Sequence, residues 1–279
     1  MTATHEIVRT RAGALAVRSL PEGEVMHPGV GPLVEAEQLY VGQARLAERL
    51  QTPGLERLVV FDVGLGAGSN AVRAWATSER APPPACRLEL VSFERDLGAL
   101  TLALTHGPDF GFTEESAAAA RALIGRGEHE TARTLWRLQR GDVLACLARE
   151  HARANIVFWD PFSARVNPAL WTVAAFAAIR RKAGHRCTLF TYSASTATRI
   201  ALLLAGWAVG IGDPIGDKAA TTAAATHIED LRRPLDRRWL ARLQRPDVPL
   251  PSDAPADAGR VVADLAQFAT AAPPTTPRP

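Results

Sequence analysis

One stretch constrains the fold of this chain more than any other. Residues Arg57–Val63 are nearly all apolar (Leu58, Val59, Val60, Phe61, Val63) and run directly into Gly64-Leu65-Gly66-Ala67-Gly68-Ser69-Asn70. An unbroken apolar run of this kind suits a strand covered on both faces. Glycines just after it let the backbone turn sharply and come close to a ligand without a Cβ clash. A strand, a glycine turn and a helix in that order open an α/β sheet, whose ligands bind beyond the carboxyl ends of its strands.

The rest of the chain alternates in the same sense. After the helix Ala67–Thr77, the pattern predicts strands at Arg87–Phe93, Leu135–Arg140, Asn155–Trp159, Arg186–Tyr192 and Ala208–Ile211. Helices are expected at Leu97–His106, Asp142–His151, Leu170–Ala183 and Ser195–Ala205. Residues 107–134 read as a helical insertion around Glu114–Ile124, and Ala219–His227 as a last strand. The class is therefore α/β, with a doubly wound, mostly parallel sheet. Ahead of it lies an N-terminal hairpin and helix extension. Glu6–Thr10 and Leu15–Ser19 are strand-like around an Ala12-Gly13 turn. Ala36, Leu39, Tyr40, Leu46 and Leu50 fall at helical spacing within 35–50. The expected division is an extension at 1–52, a core at 53–244 and a Pro/Ala-rich tail at 245–279, largely disordered after Phe268.

Bulk properties narrow the function classes. A length of 279 residues suits one large α/β domain. No apolar run reaches a membrane span, and Met1–Arg11 lacks the apolar core of a signal peptide. Cys86, Cys146 and Cys187 are odd in number and far apart, which argues against a disulfide framework and a Cys-rich zinc site. The seven histidines show no metal-ligand spacing. A cytoplasmic protein without a metal is expected. The net charge of +3 and pI near 9.0 permit a nucleic-acid partner without requiring one.

Acidic residues close successive strands. Asp62 ends the first, Glu94 the second, and Asp142 follows the third. The glycines at alternate positions differ from the usual dinucleotide spacing, and the following helix need not hold a pyrophosphate. S-Adenosylmethionine has none; it offers an ammonium and carboxylate, a ribose and an adenine. Asp62 can pair with the ammonium, Glu94 can accept both ribose hydroxyl protons, and Asp142 can contact the adenine amino group. The alternatives are a plain tight turn, or NAD or NADP as ligand; no Lys/Tyr or His arrangement for hydride chemistry accompanies the loop.

The fourth strand ends in Trp159-Asp160-Pro161-Phe162-Ser163. Asp160 is expected where the donor methyl lies, able to accept a hydrogen bond from an amine and hold it in line. Pro161 stiffens the loop, and Phe162 offers a flat face to stack on a base or cover the methyl. Helix capping is the plainer role for Asp160. The triplet resembles the Asp/Asn-Pro-Pro-aromatic loop of amino-methyltransferases, with Phe in place of the second Pro.

The segment Asn155–Trp171 resembles the methyltransferase domain of the tRNA 5-methylaminomethyl-2-thiouridine biosynthesis enzymes of the MnmC type, in the stand-alone form without the FAD-dependent half. Gly31–Tyr40 is similar to that family's Gly-x-x-x-Glu element, Asp62–Asn70 to its glycine loop ending in Asn, and Leu189–Ala194 with Arg199 and Ala205-Gly206-Trp207 to its Thr-Tyr-Ser strand, Arg and Ala-Gly-aromatic turn. The resemblance covers roughly residues 5–230. It implies a Rossmann-like class I methyltransferase using S-adenosylmethionine, without FAD, that methylates the 5-aminomethyl group of a tRNA wobble uridine. It makes Asp160 the active-site carboxylate and puts Glu35, Gly64, Gly66, Asn70, Glu94 and Asp142 around the cofactor, with Gly68 in the same loop. Tyr40 and Tyr192 are divided between core and pocket lining. The chain departs from the family at Gly212–Ala219, where a basic run is reduced to Lys218 and two aspartates enter. Lys218 and Arg165 are the expected substrate contacts. Arg180–Lys182 and the arginines from Arg232 to Arg242 read as solvated helix faces, His27 as a turn residue, and Trp159 and Trp171 as core. A small-molecule or protein amine is the alternative acceptor.

Overall fold

A computed structural model describes residues 4–245 and 247–268. A small antiparallel sheet comes first, made of β1 (His5–Arg9), β2 (Leu15–Ser19) and β3 (Glu24–Val25). The main sheet contains β4 (Arg57–Val63), β5 (Arg87–Glu94), β6 (Glu128–Glu130), β7 (Thr134–Arg140), β8 (Ala154–Trp159), β9 (Ala183–Thr191), β10 (Ala208–Gly212) and β11 (Thr221–Ala225). Its spatial order is β10-β11-β9-β8-β4-β5-β7-β6. The β7-β5-β4-β8-β9 run is parallel. β11 enters antiparallel between β9 and β10, and β6 is antiparallel to β7.

This order sets the position of the site. The chain builds outward from β4 to β7, then returns to the other side of β4 for β8. The reversal leaves a crevice at the carboxyl ends of β4 and β8, where an open α/β sheet binds its ligand.

The helices are α1 (Pro32–Glu35), α2 (Leu46–Leu50), α3 (Ser69–Glu79), α4 (Gly98–Leu104), α5 (Glu114–Arg126), α6 (Val143–Arg149), α7 (Val173–Lys182), α8 (Thr196–Leu204) and α9 (Ala258–Ala263). Side chains alternate across the sheet, so β4 feeds two cores. Leu58 and Val60 join Leu39, Tyr40, Val72 and Trp75 on one face. Val59, Phe61 and Val63 join Phe176, Ile179 and Leu202 on the other. Each such buried side chain contributes roughly 1.5–3 kcal/mol. Asp62 and Asp160 continue the first parity and point to the α3 side.

Four details differ from the sequence expectation. The 35–50 helix is interrupted: α1 runs into a π-helical turn at Ala36–Gly42, and Arg45 adopts a left-handed φ of 52° before α2. The 107–134 insertion holds α5 but also β6, whose Glu-His-Glu sequence is the polar signature of an edge strand. Glu24–Val25 adds a third strand to the hairpin. The last strand lies inside the sheet and leaves β10 at the edge. That edge is covered: Leu235 N–H donates to the Val209 carbonyl, and Gln267 bonds both backbone groups of Val209. Val262 and Phe268 pack into the second core. The expected disorder after Phe268 falls outside the described residues. No helix among those residues is long and apolar enough to cross a membrane.

Candidate active site

Two loops leave the sheet side by side at the crevice. Val63 pairs with Trp159, and Asp160 N–H donates to the Val63 carbonyl at 2.9 Å. Gly64 therefore lies against the Asp160 backbone. A Cβ there would stand 2.6 Å from the Asp160 carbonyl oxygen, and φ is +90°. Glycine alone meets both demands. Gly66 N–H donates to Glu94 Oε2 at 3.0 Å, while Glu94 Oε1 accepts from the N–H groups of Arg95 and Asp96 at 2.8 and 3.1 Å. The glycine loop is thereby pinned to the end of β5. Asp142 caps α6, accepting from Ala145 N–H at 2.9 Å, and its side chain also faces the crevice.

Gly64, Gly66, Glu94, Asp142, Asp160, Phe162 and Lys218 all line one cleft of about 370 Å³. The other expected residues stand behind that lining or outside it. Asp62 is fully buried; its Oδ2 accepts from Ser92 Oγ at 2.8 Å, and Ser92 Oγ accepts from Trp136 Nε1 at 3.0 Å. Asp62 Oδ1 has no hydrogen-bond partner, and burial pushes the carboxyl up to about 7. Gly68 caps α3. Glu35, Tyr40 and Asn70 form a layer around Asp160. Arg165 is exposed and does not line the cleft; its guanidinium lies 3.4 Å from Glu24, which does.

Asp160 is the centre of that layer. Its side chain is only 8% exposed, and Oδ2 accepts from Asn70 Nδ2 at 2.7 Å. The Tyr40 hydroxyl is buried beside it, without a partner of good geometry. Burial raises the Asp160 carboxyl above the ordinary range, against the opposing pull of His27, Tyr40 and Asn70.

His27 was expected only to shape a turn. Its backbone does so, at a left-handed φ of 54°, but its side chain is 12% exposed and bridges two carboxylates. Nδ1 lies 2.7 Å from Glu35 Oε2, and Nε2 lies 3.6 Å from Asp160 Oδ2. Burial opposes a charge on the imidazole; Asp160, then Glu35, outweigh it and raise its pKa above the usual histidine value. Burial likewise opposes charge on Glu35, yet the His27 bond holds that carboxyl below its usual value.

The Asp-Pro-Phe-Ser loop is fixed by residues far away in sequence. Glu24 accepts from Ser163 N–H at 2.9 Å and Ser163 Oγ at 2.5 Å. Tyr192 OH donates to the Pro161 carbonyl at 3.0 Å, and Trp171 Nε1 to the Phe162 carbonyl at 2.8 Å. Lys218 Nζ sits 4.7 Å over the Tyr192 ring. Glu24 has no local sequence signal, since its partner is 139 residues away.

A second groove, of about 600 Å³, lies on the β9-β11-β10 half of the sheet and is lined by Arg45, Arg49, Arg186, Arg232 and Arg233 among others. Arg232 and Arg233 flank Asp213 at 2.9 Å each, which offsets the acid that entered the connection before β11. Arg49 is held by Thr188 Oγ1 and the Asn155 carbonyl, with no carboxylate partner among the described residues. Arg180 lies over Trp207, and Lys182 Nζ bonds the Glu150 carbonyl, so that cluster is structural.

A family profile described as S-adenosyl-L-methionine-dependent methyltransferase matches residues 116–227. The chain is similar to the tRNA 5-methylaminomethyl-2-thiouridine biosynthesis bifunctional protein MnmC of Pseudomonas paraeruginosa, 33% identical over 195 residues, 67% of this chain and 30% of that protein. The same protein of Ectopseudomonas mendocina is 31% identical over 229 residues, 79% of this chain and 34% of its own length. The chain thus spans about a third of the length of the curated relatives it matches. The crystal structure of MNMC2 from Aquifex aeolicus superposes with a TM-score of 0.66 at 26% identity, over 81% of this chain and 71% of that one. With the switch-point cleft between β4 and β8, these likenesses make the chain a Rossmann-like S-adenosylmethionine-dependent methyltransferase related to the MnmC methyltransferase domain.

Proposed function

We propose that the acceptor is a primary amine on tRNA, the 5-aminomethyl group of the wobble uridine, and that the product is its methylaminomethyl form. The observation that carries this reading is Asp160. It is a nearly buried carboxylate at the switch point, with Oδ2 occupied by Asn70 and Oδ1 without a protein hydrogen bond among the described residues. A carboxylate so placed can hold an amine in line for transfer.

The residues fit the cofactor. The glycine turn is a backbone cradle that a Cβ would close at Gly64, and Glu94 and Asp142 open on the same cleft. S-Adenosylmethionine, when bound, would supply a methyl group on a cationic sulfur to an amine lone pair held in line. The protein's part is position: Glu94 for ribose hydroxyls, Asp142 for the adenine edge, and Phe162 as a flat wall beside the acceptor base. Asp62 lies buried behind this lining, with Oδ2 on Ser92 and Oδ1 without a hydrogen-bond partner.

The relatives are named for tRNA biosynthesis, which favours tRNA, and Arg49 in the second groove offers its backbone a contact. The second reading is a small-molecule or protein amine. The connection before β11 favours it, since Asp213 and Asp217 there leave Lys218 as its one basic residue. Labelled cofactor with tRNA from cells lacking the methylation, followed by nucleoside mass spectrometry, separates the two. Labelled methylaminomethyl uridine supports the first; no label in tRNA, with cofactor bound, moves the acceptor to another amine.

A further inference from the structure

The acceptor arrives with a proton too many. An aliphatic ammonium has no lone pair, so an N-methyltransferase acting near neutral pH must remove that proton first. Asp160 alone is a poor store for it, because a carboxyl gives its proton back readily. The structure places a better store directly behind it. His27 borders the cleft, its Nε2 faces Asp160 Oδ2 at 3.6 Å, and its Nδ1 is tied to Glu35 Oε2 at 2.7 Å. With Nδ1–H donated to Glu35, the neutral ring turns its Nε2 lone pair toward Asp160. This is the base-and-orienter arrangement, in which a carboxylate fixes the tautomer and stabilises the imidazolium. The Glu35 bond holds the ring there, on a backbone that is left-handed at His27, with φ 54°.

We propose that His27, steadied by Glu35, is the positioning residue that stores the acceptor's proton by way of Asp160. This rests on the amine reading above. The ammonium N–H bond breaks, its electron pair stays on nitrogen, and the proton reaches Asp160. It passes to the Nε2 lone pair once the 3.6 Å gap closes to hydrogen-bond distance, and Asp160 is again anionic beside a neutral amine. The imidazolium is paired with Glu35 and releases its proton to water after product leaves. The charged or titratable groups facing His27 are Glu35, Asp160, Asp62 and Lys218; Tyr40 and Tyr192 stand on the same Asp160.

The test has two parts. Histidine ring signals are titrated by NMR without donor or acceptor, using His27→Asn to assign the peak; Asn tolerates the left-handed backbone, so the fold is kept. The His27 ionisation is expected above the ordinary histidine value, and Glu35→Gln is expected to lower it. The rate of methyl transfer is then followed against pH, with whichever amine the wild type methylates. His27→Asn is expected to lose about 100-fold on the plateau above the wild-type limb, where the ring is neutral, and to remove or shift that limb, and Glu35→Gln to move it to lower pH. A purely structural role would lower the rate equally at every pH. A His27 titration at the ordinary value that Glu35→Gln leaves in place, or a wild-type limb retained in His27→Asn, overturns the proposal. The NMR reading does not depend on tRNA being the acceptor, so failure of that assignment is seen separately.

Discussion

At the residue scale, the site is a set of carboxylates in unequal surroundings. Asp62 is buried with one hydrogen bond and an open oxygen, and its pKa stands near 7. A carboxyl whose folded pKa is raised favours the protonated form. Its stabilising contribution is complete below the unfolded value of about 3.9 and is lost as pH rises through 7. Denaturation of the cofactor-free protein should therefore show stability falling between pH 4 and 7, by up to roughly 4 kcal/mol from this group. Asp62→Asn should flatten that slope; identical pH dependence in both proteins would remove Asp62 as its source. Glu94 faces the cleft with both oxygens steadied by backbone N–H groups. Glu94→Ala should weaken cofactor binding by about 1–3 kcal/mol in calorimetry, the scale for bonds to a charged group; unchanged affinity would take Glu94 out of the pocket. Glu94, Asp142 and Asp160 could be placed on the cleft because strand ends in an open sheet face one crevice, whereas Asp62, one residue short of the end of β4, is buried behind the lining. His27 and Glu24 were not legible in the sequence. A histidine in a Met-His-Pro-Gly turn carries no sign that a carboxylate 133 residues later will face it.

At the element scale, the β4 and β8 loops act as one unit. Their register brings Gly64 onto the Asp160 backbone. Gly64→Ala strains a positive φ and forces the loops apart. It should cost more than about 1 kcal/mol of stability and about 100-fold in methyl transfer, the scale of a 1 Å misplacement. Thermal unfolding and turnover matching the wild type would show that the contact does not position Asp160. Strands with two covered faces were readable from their apolar runs, and β4, β5, β8 and β9 lie within a few residues of expectation. The interruption of the 35–50 helix was hidden, because Leu39, Tyr40 and Leu46 are buried whether the turn is α or π. The polar β6 carries no strand pattern, because an edge strand needs none.

At the scale of the whole molecule, charge matters more than fold. The excess of +3 is small; five arginines line one groove beside the β10–β11 connection, where Glu48, Asp213 and Asp230 pair with four of them and leave Arg49 without a carboxylate partner among the described residues. If that groove carries tRNA phosphates, Arg49→Ala should weaken tRNA binding and reduce the log-salt slope by about 0.9, leaving cofactor affinity as it was. An unchanged slope would move the nucleic-acid surface elsewhere. The central claim, that one face of the crevice holds the cofactor and Asp160 holds the amine, is tested most directly by Asp160→Asn. The measurement pairs calorimetric S-adenosylmethionine affinity with single-turnover methyl transfer at saturating cofactor. Affinity is expected within about threefold of wild type, under 0.7 kcal/mol, and transfer reduced by 100-fold or more, the general range for a lost proton-handling group. Wild-type transfer in Asp160→Asn would contradict it.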